Sequence, residues 1–489
     1  MKKMKFIYIL ILGLSFTACS DWLDVKPETE VDLVDQVSTP RGLVEMLNGV
    51  YVKMVSPELY GHHLVYGAIA DLAQNYYTRQ DWNQRPFIHY TYESTQGKTI
   101  KDNIWHGMYN AIANTNAIID NIDAIKEKMP TEDYNLIKGE AYAIRAYLHF
   151  DLIRLFGDAY EDAGESPQIP YANKFDRVRF KHLSAEKVYT YILDDISEAE
   201  KLLVESDPVV TGSAYDGDFF ELEDRLRHLN YYAVIALKAR VHLTMGDTQT
   251  ASNLAQQVID EYTWNWTVVE DLTHYEVQLG KKTLFEPELV CALNVNKLNT
   301  YYNSYFGDEE EVSYNAGIAD VEFSSSLFEA SGFGANDWRY LYLWHKNEQG
   351  YFNVPSKYDQ ISTKAGVNVR EPKIQSVPLV RITEMMLIVA EHELKDNYAE
   401  AISIIQTIQD KRDYQIADPD LLTVSDAGTM LEKEFRKETY IEGQLFYRYK
   451  RLGLESIPAM NDVGTITLPE GAYKLPLPES EREYGNIDN

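Results

Sequence analysis

Cysteine is nearly absent from this sequence, and its scarcity excludes a fold held together by a network of disulfides. Cys19 and Cys291 are the only two among 489 residues. Small exported domains that depend on disulfides carry several cysteine pairs at regular spacing. An apolar content of 45% in a chain of this length suffices for a large hydrophobic core. We therefore expect packing to stabilise the fold.

Basic residues are outnumbered by acidic ones, 46 against 76, which gives a formal net charge of −30. Nucleic acid is not predicted as a partner, because its phosphates need clustered lysine and arginine. Catalytic motifs are missing too: there is no His-Glu-x-x-His zinc pattern, no Gly-x-Ser-x-Gly elbow and no Walker or Rossmann glycine pattern. Among 76 acids some pair falls at glycosidase spacing by chance, but none stands out. We predict no enzymatic activity.

Patterns that would bind a metal are weak. His62 and His63 are predicted to form a loop pair and not a metal site, because no third ligand stands at useful spacing. Two acidic segments offer hard oxygen ligands for Ca²⁺, namely Asp216-Gly217-Asp218 with Glu221, and Asp308-Glu309-Glu310-Glu311. Neither has the spacing of an EF-hand. The sequence predicts no cofactor and no metal site, and Ca²⁺ stays open as an alternative.

Long hydrophobic runs are also missing, apart from one near the start. Residues 6–18 form an apolar run of 13 residues behind three lysines, too short to span a bilayer of about 30 Å. The run ends at Phe16-Thr17-Ala18-Cys19, which resembles a bacterial lipobox. We predict a signal peptide over residues 1–18, lipidation of Cys19 with palmitate and a polar tether over residues 19–39. Ordinary secretory cleavage near a cysteine is the alternative.

Apolar residues recur at three- and four-residue spacing over most of the remaining chain, which predicts a mainly α-helical fold. The predicted helices cover residues 41–55, 101–128, 131–156, 184–204, 229–245, 248–262, 380–395, 398–412 and 429–452. Small residues flank tight turns at Gly246-Asp247 and Asp396-Asn397, as in tetratricopeptide-type helical hairpins.

Helical periodicity is weak between residues 264 and 378, a stretch rich in Tyr, Asn, Gly and Ser with a β-like run at 289–293. We predict a tetratricopeptide-like helical-hairpin scaffold with a large loop-rich ligand-binding half packed on it. Residues 40–263 form the N-terminal helical region and residues 264–489 the C-terminal region, and the two are packed as one globular unit.

Several segments, in the same order along the chain, resemble motifs of the SusD/RagB family of nutrient-uptake outer-membrane lipoproteins. They are Asp21-Trp22-Leu23-Asp24, the run from Trp105 to Asn116, the run from Glu140 to Leu152 with Gly157-Asp158, the run from Val380 to Glu391, Phe435-Arg436-Lys437-Glu438 with Glu442-Gly443 and Lys450-Arg451-Leu452, and Tyr473-Lys474-Leu475-Pro476-Leu477-Pro478. The resemblance covers nearly the whole chain after Cys19. The chain departs from the family at Ala159-Tyr160-Glu161-Asp162, where an arginine is usual, so this loop is expected to differ in shape.

The resemblance implies a non-catalytic protein at the cell surface of a Gram-negative, Bacteroidetes-like organism. It implies anchoring to the outer membrane by lipid alone, and a TonB-dependent SusC-like barrel as partner, over which the protein sits as a lid. It also places the ligand site in the loop-rich half. The charged residues of the motifs, by contrast, are predicted to form buried arginine–carboxylate pairs between packed helices. They are Glu140, Arg145, Arg381, Glu384 and Glu391.

Three clusters of aromatic and polar residues are the candidates for the ligand-binding site, because sugar rings pack on aromatic faces while polar neighbours bind their hydroxyls. They are Asn75-Tyr76-Tyr77 with Arg79, Asp81 and Trp82; Tyr301-Tyr302-Asn303 with Tyr305; and Trp338-Arg339-Tyr340 with Tyr342 and Trp344. The alternative for each cluster is packing in the core. The four rings between residues 338 and 344 alternate with a period of two, so a strand here would place all four on one face, which could equally pack on the scaffold.

The sequence therefore predicts a surface protein that binds nutrient oligomers. Oligosaccharides are the first candidate ligands. Oligopeptides, as in the RagB branch of the family, are the alternative, because tyrosine, asparagine and aspartate also bind peptide groups. An enzyme or a purely structural lipoprotein is the third possibility, and the missing catalytic motifs argue against the enzyme.

Overall fold

The structure of the chain is a computed structural model, and it describes residues 33–75, 85–212, 222–273, 283–306, 319–346, 352–358, 375–459 and 464–487. Helices predominate in these residues. The α-helices are α1 (Leu33–Val37), α2 (Pro40–Met54), α3 (Ala68–Leu72), α4 (Thr95–Ile122), α5 (Thr131–Phe156), α6 (Ala185–Ser206), α7 (Pro208–Thr211), α8 (Tyr231–Thr244), α9 (Thr248–Glu261), α10 (Val269–Thr273), α11 (Leu298–Phe306), α12 (Val321–Leu327), α13 (Trp338–Tyr342), α14 (Ile382–Glu393), α15 (Tyr398–Asp410), α16 (Val424–Glu438), α17 (Leu445–Arg451) and α18 (Glu479–Tyr484). The mainly helical fold class is confirmed.

Strands in the described residues are short and pair antiparallel in small sheets. They are β1 (Ile169–Pro170), β2 (His182–Leu183), β3 (Leu289–Asn294), β4 (Ala319–Asp320), β5 (Trp344–Lys346), β6 (Phe352–Pro355), β7 (Ser376–Arg381), β8 (Ser456–Pro458) and β9 (Thr465–Thr467). The sheets are β1-β2, β3-β7, β4-β6-β5 and β8-β9. The β-like run at 289–293 is thus a real strand, and its partner β7 leads directly into α14.

Helix α5 is the central element of the scaffold. It begins at Thr131 and ends before Gly157, as the sequence predicts. The N-cap residue is Pro130, which makes no side-chain cap bond. Most of its residues are buried between neighbouring helices, α6 prominent among them. A helix that is buried on nearly all sides has little amphipathic pattern. This helix is therefore recognised in the sequence by the residues at its two ends and by its composition.

Two helical hairpins form the tetratricopeptide-like part of the scaffold. Helices α8 and α9 meet at Gly246, whose φ of +85° a residue with a side chain rarely adopts. Helices α14 and α15 form the second hairpin around Asn397, and α9 packs on α14. Ala251, Ala255 and Ala401 are fully buried at these contacts and allow the helices to approach closely. The hairpin prediction is confirmed at both turns.

One predicted helix is wrong. Residues 429–452 form two helices, α16 and α17, separated by a turn at residues 439–444. In that turn Gly443 has a φ of +76°, and a Cβ there would lie 2.3 Å from the Leu64 carbonyl oxygen. The helix breaks because the turn must pass this close to the 55–67 segment. Helix α16 also begins earlier than predicted, at a capping box formed by Thr423 and Asp426.

Residues 338–344 do not form the strand that would place their four rings on one face. Residues 338–342 form α13, and β5 begins only at Trp344. Asp337 is the N-cap of α13, and its carboxylate accepts a hydrogen bond of 2.9 Å from the Arg339 amide. A capped helical turn therefore replaces the alternating strand, and the four rings do not share one face.

Buried arginine–carboxylate pairs join the elements, as the motif residues predicted. Arg145 is paired with Asp195 at 2.6 Å, Glu140 with Arg225 and His228, Arg240 with Glu384 at 2.6 Å, and Glu391 with Arg451 at 2.7 Å. The neighbouring cations hold the pKa of Glu140 and of Glu391 at about 2, against the opposing effect of burial. The prediction that these residues have a structural role is confirmed.

A large ionic cluster joins several elements of the C-terminal region. Glu438, at the end of α16, accepts hydrogen bonds from Arg339 at 2.7 Å, Arg381 at 2.8 Å and Arg412 at 2.8 Å. Further buried carboxylates complete the cluster, namely Glu288, Asp337, Glu434 and Glu442. Side chains from β7, α13 and α16 thus meet at one carboxylate, so these elements share one buried ionic core.

Cys291 lies on β3 and is fully buried. Its thiol donates to the His228 carbonyl oxygen at 3.2 Å. Burial, with a smaller contribution from Glu140, raises the pKa of this thiol to about 12. The cysteine is therefore a packed core residue that stays protonated.

Near the start of the described chain, α1 occupies part of the segment predicted as a tether. Residues 19–32 and Cys19 lie outside the described residues, so the tether, the lipidation and the domain boundaries stay predictions. Within the described ranges, no helix is both long and apolar enough to cross a membrane.

Candidate ligand-binding site

A cavity of about 260 Å³ lies where the turns after α2, helix α3, the start of α4 and helix α11 meet. We call it the Tyr305 cavity. Its walls are His62, His63, Ala68, Asp71, Arg85, Pro86, Gln96, Ile100, Ser304 and Tyr305. Polar side chains dominate this wall, and they come from four separate segments. The packing of the scaffold therefore determines the geometry of the cavity.

An ion pair and a tyrosine form one side of the Tyr305 cavity. Arg85 binds the Asp71 carboxylate through two nitrogens, one of them Nε at 3.2 Å. The same guanidinium donates to the Tyr305 hydroxyl, which in turn donates to Asp71 at 3.3 Å. It also lies 4.9 Å from the centre of the Tyr305 ring. The charges of the pair cancel, and hydrogen-bonding groups remain at the wall.

Two histidines form the opposite side. The His62 ring lies 4.6 Å from His63 and 4.5 Å from Tyr305, edge to face with the tyrosine. Burial lowers the pKa of His63 to about 4, and it also lowers the pKa of His62 well below its ordinary value. Both imidazoles are therefore neutral at pH 7, and each offers one donor and one acceptor. The sequence predicts that this pair lies in a loop, and the structure places both residues in turns.

The electrostatics of the cavity favour a neutral, polar ligand. Imidazoles, an internally balanced ion pair, an amide and hydroxyls can donate and accept without net charge. Burial raises the pKa of Asp71, although Arg85 opposes this, and it raises the pKa of Tyr305 well above its usual range. No group of three potential metal-ligating side chains occurs among the residues that the structure describes. Hydroxyl or amide groups of a ligand are the chemistry that this wall can bind.

Five of the predicted site residues, Tyr76, Tyr77, Arg79, Asp81 and Trp82, lie outside the described residues. The two ends of their segment are nevertheless described. Arg85 lines the Tyr305 cavity. The Asn75 carbonyl oxygen accepts a hydrogen bond of 3.0 Å from the Tyr440 hydroxyl.

The other two clusters approach the same segment. Tyr305, from the second cluster, binds Arg85 directly. Trp344, from the third, packs at 5.1 Å against the ring of Tyr440, which is bonded to Asn75. Tyr305 therefore contacts Arg85, the residue that follows the 76–84 segment. Trp344 is linked through Tyr440 to Asn75, the residue that precedes it.

Other predicted residues lie elsewhere. Tyr302 is 3% exposed, and its hydroxyl donates to the Pro355 carbonyl oxygen at 2.9 Å, so it packs in the core. Tyr301 is half-buried and lines a different cavity of about 520 Å³ between α2 and β3. Trp338 packs on Leu272 and Phe285, with Tyr342 and Trp344 beside it. Tyr340 packs on the main core near Phe328, at 6.3 Å between ring centres.

Sequence reasoning did not single out Asp71 or Gln96 as site residues. Asp71 is an acid inside the apolar run of α3, where an unpaired charge is costly. That was the signal for a partner such as Arg85. Gln96 lies in the first turn of α4, which the predicted helix beginning at residue 101 omitted. The two acidic segments considered for Ca²⁺, 216–221 and 308–311, lie outside the described residues.

Comparison with known proteins is consistent with this description. Residues 21–212 match a SusD-like family model described as "Starch-binding associating with outer membrane". The chain is 24% identical over 539 residues to SusD-like protein P2 of Formosa agariphila, covering 99% of this chain and 96% of that protein. A match over the N-terminal two-fifths and a full-length relative together confirm the resemblance to the SusD/RagB family.

Solved structures share the fold. A SusD superfamily protein from Bacteroides thetaiotaomicron has a TM-score of 0.70 at 23% identity and covers 94% of this chain and 99% of its own. A SusD-like carbohydrate binding protein from Bacteroides vulgatus has a TM-score of 0.69 at 17% identity, with coverage of 91% and 96%. The chain therefore shares the fold of these two structures over more than nine-tenths of its length.

Proposed function

We propose that this SusD-like chain is a cell-surface lipoprotein that captures oligosaccharides and delivers them to a TonB-dependent, SusC-like transporter of the outer membrane, which it covers as a lid. The observation that carries the proposal is the Tyr305 cavity, a hydrogen-bonding wall without net charge whose Arg85 directly follows an aromatic-rich stretch of the sequence. The matched family model supports it, because that model describes starch-binding proteins associated with the outer membrane.

The cavity suits sugar hydroxyls because each hydroxyl both donates and accepts. The imidazoles of His62 and His63 can take either role, while Arg85 donates and Asp71 accepts. Trp82 and Tyr77, in the adjoining segment, would supply the flat faces on which a pyranose packs. A charged ligand would gain little here, because the ion pair is already balanced.

We further propose that the protein does not catalyse hydrolysis. Asp71 is the one carboxylate among the described residues that line the cavity. A glycosidase needs two, at a separation set by the mechanism, and Asp71 is held by Arg85. Binding without turnover is the activity that this arrangement supports.

Calorimetric titration of the mature chain, with Cys19→Ala to prevent lipidation, tests the proposal. We expect saturable binding of a starch-type oligosaccharide such as maltoheptaose, no binding of oligopeptides of similar length and no hydrolysis of either. Binding of peptides alone would replace the proposal with the RagB-like alternative. Turnover that disappears on replacing a pair of carboxylates would show an enzyme instead.

We expect Cys19→Ala to release the full-length protein from the membrane fraction, because the lipid on Cys19 is proposed to be its anchor. Cell fractionation and labelling with radioactive palmitate measure this. Cys291→Ala is the matched control, since Cys291 is buried in β3 and should not affect anchoring or labelling. A Cys19→Ala protein that stays with outer membranes and still incorporates palmitate would contradict the lipobox.

A further inference from the structure

A second cavity, of about 280 Å³, lies at the end of α5, apart from the residues of the Tyr305 cavity. We call it the Tyr447 cavity. Its walls are Arg154, Asp158, Ala159, Tyr160, Glu161, Asp162, Tyr189, Thr244, Tyr447, Lys450, Arg451, Leu452 and Gly453. The loop 159–162, where the sequence departs from its family, forms one wall. A neighbouring cavity of about 490 Å³ shares five of these residues.

The floor of the Tyr447 cavity carries hydrogen-bond donors without partners. Tyr447 is 7% exposed, and its hydroxyl has no hydrogen-bond partner among the described residues. The same is true of Nε of Arg154, which is 6% exposed. Leaving a buried donor unpaired costs free energy comparable to a lost hydrogen bond. Two such donors at one cavity indicate that an acceptor from solution binds there.

The charge of Arg154 is already neutralised. Its guanidinium lies between the rings of Phe150, at 4.1 Å, and Tyr447, at 3.7 Å, and forms an ion pair with Asp151. The Asp151 carboxylate also accepts a hydrogen bond of 2.6 Å from the Tyr60 hydroxyl. The floor therefore offers directional N–H and O–H groups with little excess positive charge.

Lys450 fixes the shape of the cavity. Its ammonium donates to the carbonyl oxygens of Arg154, at 2.7 Å, and Gly157, at 2.6 Å, and so caps the C-terminus of α5. Burial lowers the pKa of Lys450 to about 7, although Asp158 opposes the shift. The lysine thus joins the C-terminal end of α5 to α17 and is a poor anchor for an anion.

The rim of the Tyr447 cavity carries hydrogen-bond acceptors, which complement the donors at its floor. Asp158, Glu161 and Asp162 are hydrogen-bond acceptors, and Asp158 is partly engaged by Lys474 at 2.8 Å. These carboxylates would repel an anion, whereas hydroxyl groups can donate to them. The rings of Tyr160 and Tyr189, edge to face at 5.0 Å, give the wall an aromatic surface.

We propose that the Tyr447 cavity is a second carbohydrate site that binds one sugar unit, whose hydroxyls accept from Tyr447 and Arg154 and donate to the carboxylates of the rim. A hydroxylated neutral ring is the ligand class that satisfies donors at the floor, acceptors at the rim and an aromatic wall together. The proposal extends the proposed function to a separate place on the molecule and does not need a ligand in the Tyr305 cavity.

Saturation-transfer NMR with D-glucose on the full mature chain tests the second site. We expect Tyr447→Phe to weaken the glucose affinity about fivefold through loss of one hydrogen bond, and Ala159→Trp to abolish it by filling the cavity. Tyr60→Phe is the matched control: it removes a satisfied hydroxyl on the other side of the same ion pair, so it should lower stability and leave glucose binding unchanged.

The Arg85→Ala variant distinguishes binding at the two sites, because Arg85 lines the Tyr305 cavity and not the Tyr447 cavity. Loss of oligosaccharide binding in Arg85→Ala, with glucose binding at the Tyr447 cavity intact, would support both proposals. Absence of oligosaccharide binding in the unmodified protein would overturn the proposed function without affecting the glucose result. Glucose binding that survives Ala159→Trp would overturn the second site. So would a Tyr447→Phe protein that melts at a higher temperature with unchanged binding, which would indicate a cavity filled by water.

Discussion

Replacing Glu438 with glutamine is expected to lower the free energy of unfolding by about 3–5 kcal/mol, the range observed when one partner of a buried ionic network is removed. Glutamine keeps the shape of the side chain and removes the charge. Arg339, Arg381 and Arg412, each at most 2% exposed, then lose a shared carboxylate. Burial opposes ionisation of Glu438, but the three arginines outweigh it and hold its pKa well below the usual range.

Urea unfolding followed by circular dichroism measures the loss. Glu432→Gln is the matched control, since Glu432 lies on the same helix and also binds an arginine, Arg448, but its side chain is 42% exposed. Exposed pairs contribute about 0–1 kcal/mol. Similar losses in the two variants would show that the cluster does not depend on Glu438.

Trp82→Ala should weaken oligosaccharide binding by more than about thirtyfold, which corresponds to about 2 kcal/mol, while leaving the helical signal intact. Trp82 lies in a polar segment bounded by Pro86, and Arg85, which follows that segment, lines the Tyr305 cavity. A tryptophan in such a segment is expected to present its ring to ligand, where a few aromatic anchors dominate the binding energy.

Tyr302→Ala is the comparison for this variant, because Tyr302 belongs to the same set of candidates but packs in the core. Removing a buried ring costs about 3–5 kcal/mol of stability, so its melting temperature should fall while affinity at a permissive temperature is retained. Calorimetry on each variant, by titration and by thermal scan, separates the two effects. Unchanged affinity in Trp82→Ala would remove Trp82 from the site.

Local sequence signals predicted much of the scaffold. Helix α5 was found to its last residue because Pro130 and Gly157 bound it, and the hairpin turn at Gly246 is visible from its glycine. The break between α16 and α17 was missed, since Gly443 is required by the approach of Leu64, a contact from nearly four hundred residues away. Asp337, as the cap of α13, likewise outweighed the alternation that suggested a strand.

The residue types of a candidate site could be proposed from the sequence, but their geometry could not. An excess of tyrosine with asparagine and aspartate is a compositional signal, and the role in binding of the aromatic clusters that it pointed to stays a prediction. Which rings line a cavity depends on tertiary pairing: Tyr305 reaches Arg85 across 220 positions of the chain, while Tyr302, three residues earlier, turns into the core. The buried ion pairs also depend on tertiary structure. The sequence predicted that Arg145 is paired with a carboxylate, but it could not identify Asp195 as the partner.

The burial of Cys291 has a practical consequence for optical studies of the protein. Maleimide dyes react with the thiolate, and a thiol with a pKa of about 12 and no access to solvent supplies almost none at neutral pH. With Cys19 replaced by alanine, the mature chain is therefore silent toward such dyes. A single cysteine introduced at an exposed position such as Leu421 would carry the only fluorophore. Ligand capture and docking to a transporter could then be followed by fluorescence without removing a native residue from the core.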